Sequence, residues 1–132
     1  FVPRKIVNGA VRIARGELDK LVLGDQSARR DWGYAPDYVQ GMWQMLQADA
    51  PGDYVVATGK LHSVADLVEA AFGAVNLDPG DYVVSDPRFM RSGDEALLVG
   101  DPTHAAEAIG WRAKTSFEEM IRAMVDAEQR SA

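Results

Sequence analysis

Three short apolar runs, residues 20–23 (KLVL), 54–58 (YVVAT) and 82–84 (YVV), alternate with stretches whose apolar residues recur at helical spacing. That alternation restricts the chain to an α/β architecture. Gly24-Asp25 closes the first run, Pro51-Gly52-Asp53 and Gly59 bracket the second, and Asp78-Pro79-Gly80 precedes the third. Turn residues at these places define strand ends, and the unbroken second run reads as a buried strand.

The helical stretches carry their own punctuation. Ile6, Ala10, Val11, Ile13 and Ala14 share a helical face, with Pro3 suited to a first turn and Gly16 to a stop, which predicts a helix over 3–15. A second is predicted over 36–48, where Asp37 lies at the positive end and Tyr38, Met42, Trp43, Met45 and Leu46 form an apolar stripe read as core. Ser63 with Asp66 three residues on opens a third, running to about Val75. Asp101-Pro102-Thr103 begins a short helix that Gly110-Trp111 ends, and Ser116 with Glu119 forms a capping box before Met120, Ile121, Met124 and Val125. Three strands fall short of a complete doubly wound domain, and the chain opens on Phe1-Val2-Pro3 inside an apolar segment. Both lead us to expect a portion of something longer.

Composition serves mainly to exclude. At 132 residues, 47% apolar and 26% charged, the chain suits one modest core. Apolar runs such as 54–57 are far short of the roughly 20 residues that span a bilayer, so no membrane association is expected. With no cysteine there is no disulfide framework and no thiolate metal site, which fits a reducing compartment, and cytoplasm is the expectation. The net charge of -6 is uneven: residues 1–30 hold seven of the fourteen Lys and Arg against three acids, so that segment is +4 and the remainder -10. An acidic chain with one basic region suits a small anion such as a phosphate rather than nucleic acid.

Several chemistries are missing. Neither Gly-x-Gly-x-x-Gly nor a P-loop occurs, no Cys or Gly-x-Ser-x-Gly offers a nucleophile, and His62 and His104 stand without carboxylates at ligand spacing, so no metal site and no catalytic residue is assigned. What remains is cationic: Arg4 or Lys5 on the first helix, Arg29 or Arg30 after a strand, and Arg91 after residues 87–90. Guanidinium groups grip a diphosphate bidentately, and several around one cleft would suit a nucleotide sugar.

FVPRKI at 1–6, LGD followed by RRDWGYAPDYVQGMWQMLQ within 23–47, YVVATG at 54–59 with HSVADLVE at 62–69, and DP followed by WRAKTSFEEMIRAMV within 101–125 together resemble the carboxy-terminal part of the GDP-mannose 4,6-dehydratase family. The resemblance implies the substrate-binding portion of an NAD(P)-binding Rossmann-fold extended short-chain dehydrogenase/reductase. The 54–58 strand would return to complete the Rossmann sheet, and the glycine fingerprint and catalytic residues would lie in an amino-terminal half absent from this chain. It implies an NADP-dependent internal redox dehydration of GDP-mannose to GDP-4-keto-6-deoxymannose, in a cytoplasmic homo-oligomer, dimer or tetramer, with no nucleic-acid or membrane partner. On the same ground Lys5 and Arg30 are expected to contact the diphosphate and nucleotide, Val2 to wall the guanine or ribose, Arg91 to clamp the diphosphate, and Asp94 to hold the ribose hydroxyls where the family has a glutamate. Asp31 is expected to orient the guanidinium or cap the turn. The segment Arg91-Ser92-Gly93-Asp94-Glu95-Ala96 departs from the family's R-P-T-E-V-D. That departure keeps open a sister nucleotide-sugar epimerase, dehydratase or reductase, and a non-catalytic nucleotide-binding fragment is the other alternative.

Overall fold

Helix α1 (Val2–Ala14) forms where the apolar spacing requires, with Pro3 in its first turn. In this computed structural model, which describes residues 1–90 and 97–131, it is followed by β1 (Leu21–Leu23), β2 (Arg29–Arg30), α2 (Ala35–Leu46), β3 (His62–Ser63), α3 (Val64–Ala74), β4 (Val83–Ser85), α4 (Thr103–Ile109) and α5 (Phe117–Arg130). Single 3-10 turns stand at Pro79–Asp81 and Pro87–Phe89. Strands β1 and β4 pair in parallel, Leu21 opposite Val83 and Leu23 opposite Ser85, and β2 pairs with β3. The chain divides into two compact units: residues 1–29, 63–90 and 121–131, and residues 30–62 and 97–120.

The first unit has a conventional core. Ile6, Val7, Ala10 and Val11 of α1 are buried with Leu67, Val68, Ala71 and Phe72 of α3, Leu21 and Leu23 of β1, and Ile121 and Val125 of α5. Each Val, Leu, Ile or Phe among them contributes about 1.5–3 kcal/mol over its exposed state. Gly9 lets α1 lie directly on β1, since a Cβ there would stand 2.8 Å from Leu21 Cδ1. Asn8 donates to Glu128 Oε1 at 2.7 Å and Arg15 to the Gln129 carbonyl at 2.8 Å, fastening α1 to the end of α5. The reciprocal bonds of the expected capping box at α3 are both made, Asp66 N to Ser63 Oγ at 3.0 Å and Ser63 N to Asp66 Oδ2 at 2.7 Å.

The second unit is organised around Trp111, which is 1% exposed. Its indole N–H donates to the Asp37 carbonyl at 2.8 Å, and its ring lies against Gly41 and 5.9 Å from the Tyr38 ring. Asp37 does more than complement the helix end: its Oδ2 accepts the amides of Lys114 and Thr115 at 3.0 and 2.8 Å. Burial pushes the Asp37 carboxyl up, but these bonds outweigh it and hold it below its ordinary value. Gly110 ends α4 at φ 71°, the left-handed conformation a helix stop uses, and the Ser116–Glu119 capping box is formed in both directions.

One expectation changes. The α2 stripe is not core among the described residues: Met42 and Trp43 are each 57% exposed and Leu46 82%, whereas Gly41 is buried. The face of α2 that packs is chosen by the bulk of Trp111, which needs the residue without a side chain. Residues 54–58 pair with no other described segment, so no ladder forms there within this chain. The two-residue pair β2–β3 carries no periodicity for a sequence pattern to catch.

Candidate functional site

In a parallel sheet, ligand-binding groups gather beyond the carboxyl ends of the strands. At that end of β1 and β4, the Lys5 Nζ donates to the Val22 carbonyl at 2.7 Å and lies 5.3 Å from the centroid of the Phe89 ring. One of its three donors is thereby taken and its position fixed, with the cation left on an exposed helix surface. The loops after the two strands are drawn together: Asp86 N donates to the Leu23 carbonyl at 2.8 Å, and Gln26 Nε2 to Ser85 Oγ at 2.9 Å. The local acids are turned onto their own loops. Asp25 accepts Ser27 N and Oγ at 2.8 and 2.7 Å, and Asp86 pairs with Arg88 at 2.6 Å. These bonds hold both carboxyls below their ordinary values, that of Asp25 through Ser27 and that of Asp86 through Arg88.

In the other unit, Arg30 is half-buried at the end of β2, Arg29 is exposed, and neither arginine is without a partner. The Asp31 carboxylate follows directly. Its Oδ1 accepts the Thr58 amide at 3.0 Å and the Thr58 hydroxyl, and its Oδ2 accepts the amides of Gly59 and Gly100 at 3.0 and 3.2 Å. Burial pushes Asp31 up, yet the bonds from Thr58, Gly100 and Gly59 outweigh it and keep the group below its ordinary value. Of the two roles expected for Asp31, these bonds are of the capping kind. A cleft of about 480 Å³ elsewhere in this unit, lined by Gln44, Tyr54, Ile109 and others, holds none of the expected residues.

Val2 and Lys5, one turn apart on α1, therefore stand together, Val2 being 42% exposed. Arg30 belongs to the second unit. Arg91 and Asp94 lie outside the described residues. The engagement of Lys5 with Val22 was not visible in the sequence, although a lysine one turn into a helix that precedes a strand is the available signal. The stack of His62 on Phe117, with ring centroids 3.9 Å apart, likewise gives that histidine an aromatic neighbour rather than a metal-ligand set. Among the described residues no group of three His, Cys, Asp or Glu forms a cation cluster, and no helix is long and apolar enough to cross a membrane.

The profile of the family described as GDP-mannose 4,6 dehydratase matches residues 1–124. GDP-mannose 4,6 dehydratase 1 of Arabidopsis thaliana is 44% identical over 97% of this chain and 36% of its own length, and the Homo sapiens GDP-mannose 4,6 dehydratase is 37% identical over 97% and 39%. The chain thus spans somewhat over a third of the length of such curated relatives. The solved structure of RMD from Pseudomonas aeruginosa complexed with NADPH superposes with a TM-score of 0.89 over all of this chain and 43% of its own, at 20% identity, which bears on fold alone. A Thermus thermophilus UDP-glucose 4-epimerase, solved with NAD, follows at TM-score 0.74 and 28% identity over 97% and 40%. The α/β fold is that of a carboxy-terminal portion of NAD(P)-binding extended short-chain dehydrogenase/reductases. By its sequence over nearly its whole length, the chain belongs to the GDP-mannose 4,6 dehydratase family.

Proposed function

We propose that this chain is the substrate-binding portion of a GDP-mannose 4,6-dehydratase, a hydro-lyase that converts GDP-mannose to GDP-4-keto-6-deoxymannose by internal redox and dehydration with NADP. The observation that supports it most is the family match over residues 1–124, falling on a chain whose Lys5 stands at the carboxyl end of a parallel strand pair. In this reading Lys5 and Arg30 contact the diphosphate, Val2 walls the base or ribose, and Arg91 and Asp94 complete the grip. Their contribution is orientation, which removes entropy from the reaction before any bond changes.

Among the described residues, the glycine turn after the first parallel strand does not suit a cofactor phosphate, and NADP is read as bound mainly by the missing amino-terminal half. Gly24, the glycine that follows β1, is closed over by the Phe89 carbonyl, 2.2 Å from where a Cβ would stand, so it offers no open turn for a phosphate. The reading places the cofactor, the catalytic residues and a Rossmann sheet in further polypeptide, with residues 54–58 joining that sheet in a cytoplasmic homo-oligomer. Consistent with a covering layer, α2 leaves Val39, Met42, Trp43 and Leu46 exposed as one stripe.

The test is GDP and GDP-mannose affinity of the full-length protein carrying Arg30→Ala or Arg91→Ala. A charge-assisted contact is worth on the order of 1.5–3 kcal/mol, so each variant is expected to bind about tenfold or more weakly. Unchanged affinity in both refutes the assignment. The likeness to a UDP-glucose 4-epimerase favours one second reading, a sister enzyme on another nucleotide sugar, and UDP-sugar binding as tight as that of GDP-mannose would select it.

A further inference from the structure

Asp31 is more heavily engaged than a turn cap requires. Its two oxygens receive four donors, from Thr58 N and Oγ1, Gly59 N and Gly100 N, which fills the roughly four acceptor positions a carboxylate has. The donors come from two stretches of chain, 27 and 69 residues away at the extremes, so one side chain fixes three pieces of backbone. Both glycines are shaped for it. Gly59 takes φ +73°, which turns its amide inward at no steric cost, and a Cβ on Gly100 would fall 2.2 Å from Ala57 Cβ. The peptide that carries the Asp31 side chain is bonded directly to Arg30. Holding Asp31 therefore holds the origin of the Arg30 side chain, and a displacement of about 1 Å in a binding group costs up to a hundredfold in function.

We infer that Asp31 is the positioning residue of the nucleotide-sugar site, acting through Arg30 by clamping the Arg30–Asp31 backbone to Thr58, Gly59 and Gly100; this rests on the reading of Arg30 as a diphosphate contact. Asp31→Asn keeps the size of the side chain and turns one acceptor into an amide facing N–H groups, so the clamp loosens. GDP binding to the full-length protein is measured by calorimetry for Asp31→Asn, Arg30→Ala and the double variant. Asp31→Asn is expected to weaken GDP about tenfold, and the double variant to bind no more weakly than Arg30→Ala alone, because the loss passes through the same guanidinium. A merely structural Asp31 would lower stability while the two binding losses multiplied, and that result overturns the inference, as does parental GDP affinity in Asp31→Asn. If Arg30→Ala alone binds GDP like the parent, the diphosphate reading of Arg30 falls and the inference with it. Should Asp31→Asn fail to fold, Thr58→Val removes the hydroxyl donor only. It is expected to weaken GDP several-fold in the parent and not at all beside Arg30→Ala, and unchanged GDP affinity in Thr58→Val overturns the inference.

Discussion

Replacing Gly41 by alanine sets two physical effects against each other. In the middle of α2 a glycine costs about 1 kcal/mol relative to alanine, so on helix propensity the substitution stabilises. The structure points the other way. The new Cβ would stand 2.8 Å from Trp111 Nε1 and 2.9 Å from Cδ1, closer than real Cβ atoms come to anything. The indole has no easy retreat, being 1% exposed and tied through its N–H to the Asp37 carbonyl at 2.8 Å. Overpacking a fitted site costs about 1–3 kcal/mol, and stretching the indole bond puts part of a further ~0.5–1.5 kcal/mol at risk. The net expectation for Gly41→Ala is a loss of up to about 2–3 kcal/mol. Gly73→Ala is the internal control, since that glycine lies in α3 with nothing within 4 Å of the added methyl, and it should stabilise by about 0.5 kcal/mol. Urea unfolding of both full-length variants, followed by tryptophan fluorescence, reads the difference. If Gly41→Ala is as stabilising as Gly73→Ala, the indole does not press on α2 and the account of the second unit is wrong.

Phe72→Ala empties a fully buried ring in the first unit, 6.3 Å from the Tyr82 ring, and is expected to cost about 3–5 kcal/mol in the same urea assay; a loss under 1 kcal/mol would mean that α1 and α3 do not enclose it. Asp31 is held below its ordinary carboxyl value in the folded state, so its stabilisation is complete above the unfolded value and fades as pH falls through the folded one. The stability gap between parent and Asp31→Asn should therefore hold constant above about pH 5 and narrow as pH falls through about 4 and below, and a gap that stays constant from about pH 5 to pH 3 contradicts the bonding described.

What the sequence discloses is local. The two capping boxes need only a hydroxyl and a carboxylate three residues apart, so Ser63 with Asp66 and Ser116 with Glu119 were readable and are formed. Gly110 stops α4 by its own backbone freedom, equally a local matter. Choices made by distant residues were not readable. Which side of α2 packs depends on Trp111, some 70 residues on, and an apolar stripe alone does not say whether its cover lies within the same chain. Residues 54–58 have strand composition, but pairing is a property of two segments. The site divides in the same way: Arg30-Asp31 is visible as a pair of charges, whereas the service of Thr58, Gly59 and Gly100 to that carboxylate exists only once the chain is folded.

In a chain of net charge -6, carboxylates can cancel the field of neighbouring cations. At the carboxyl ends of β1 and β4 the cancellation is avoided by pairing within each loop. Asp86 takes Arg88 through several bonds, the shortest 2.6 Å, which matches the two charges locally. Asp25 turns its charge onto Ser27. Lys5, by contrast, gives one donor to a neutral carbonyl, that of Val22, and meets the face of a neutral ring, that of Phe89. Neither contact spends its charge, and both restrict where the ammonium can be. The net charge of -6 is therefore a poor guide to this surface: local matching decides its field, and among the described residues Arg88 is matched by a carboxylate whereas Lys5 is held by neutral groups.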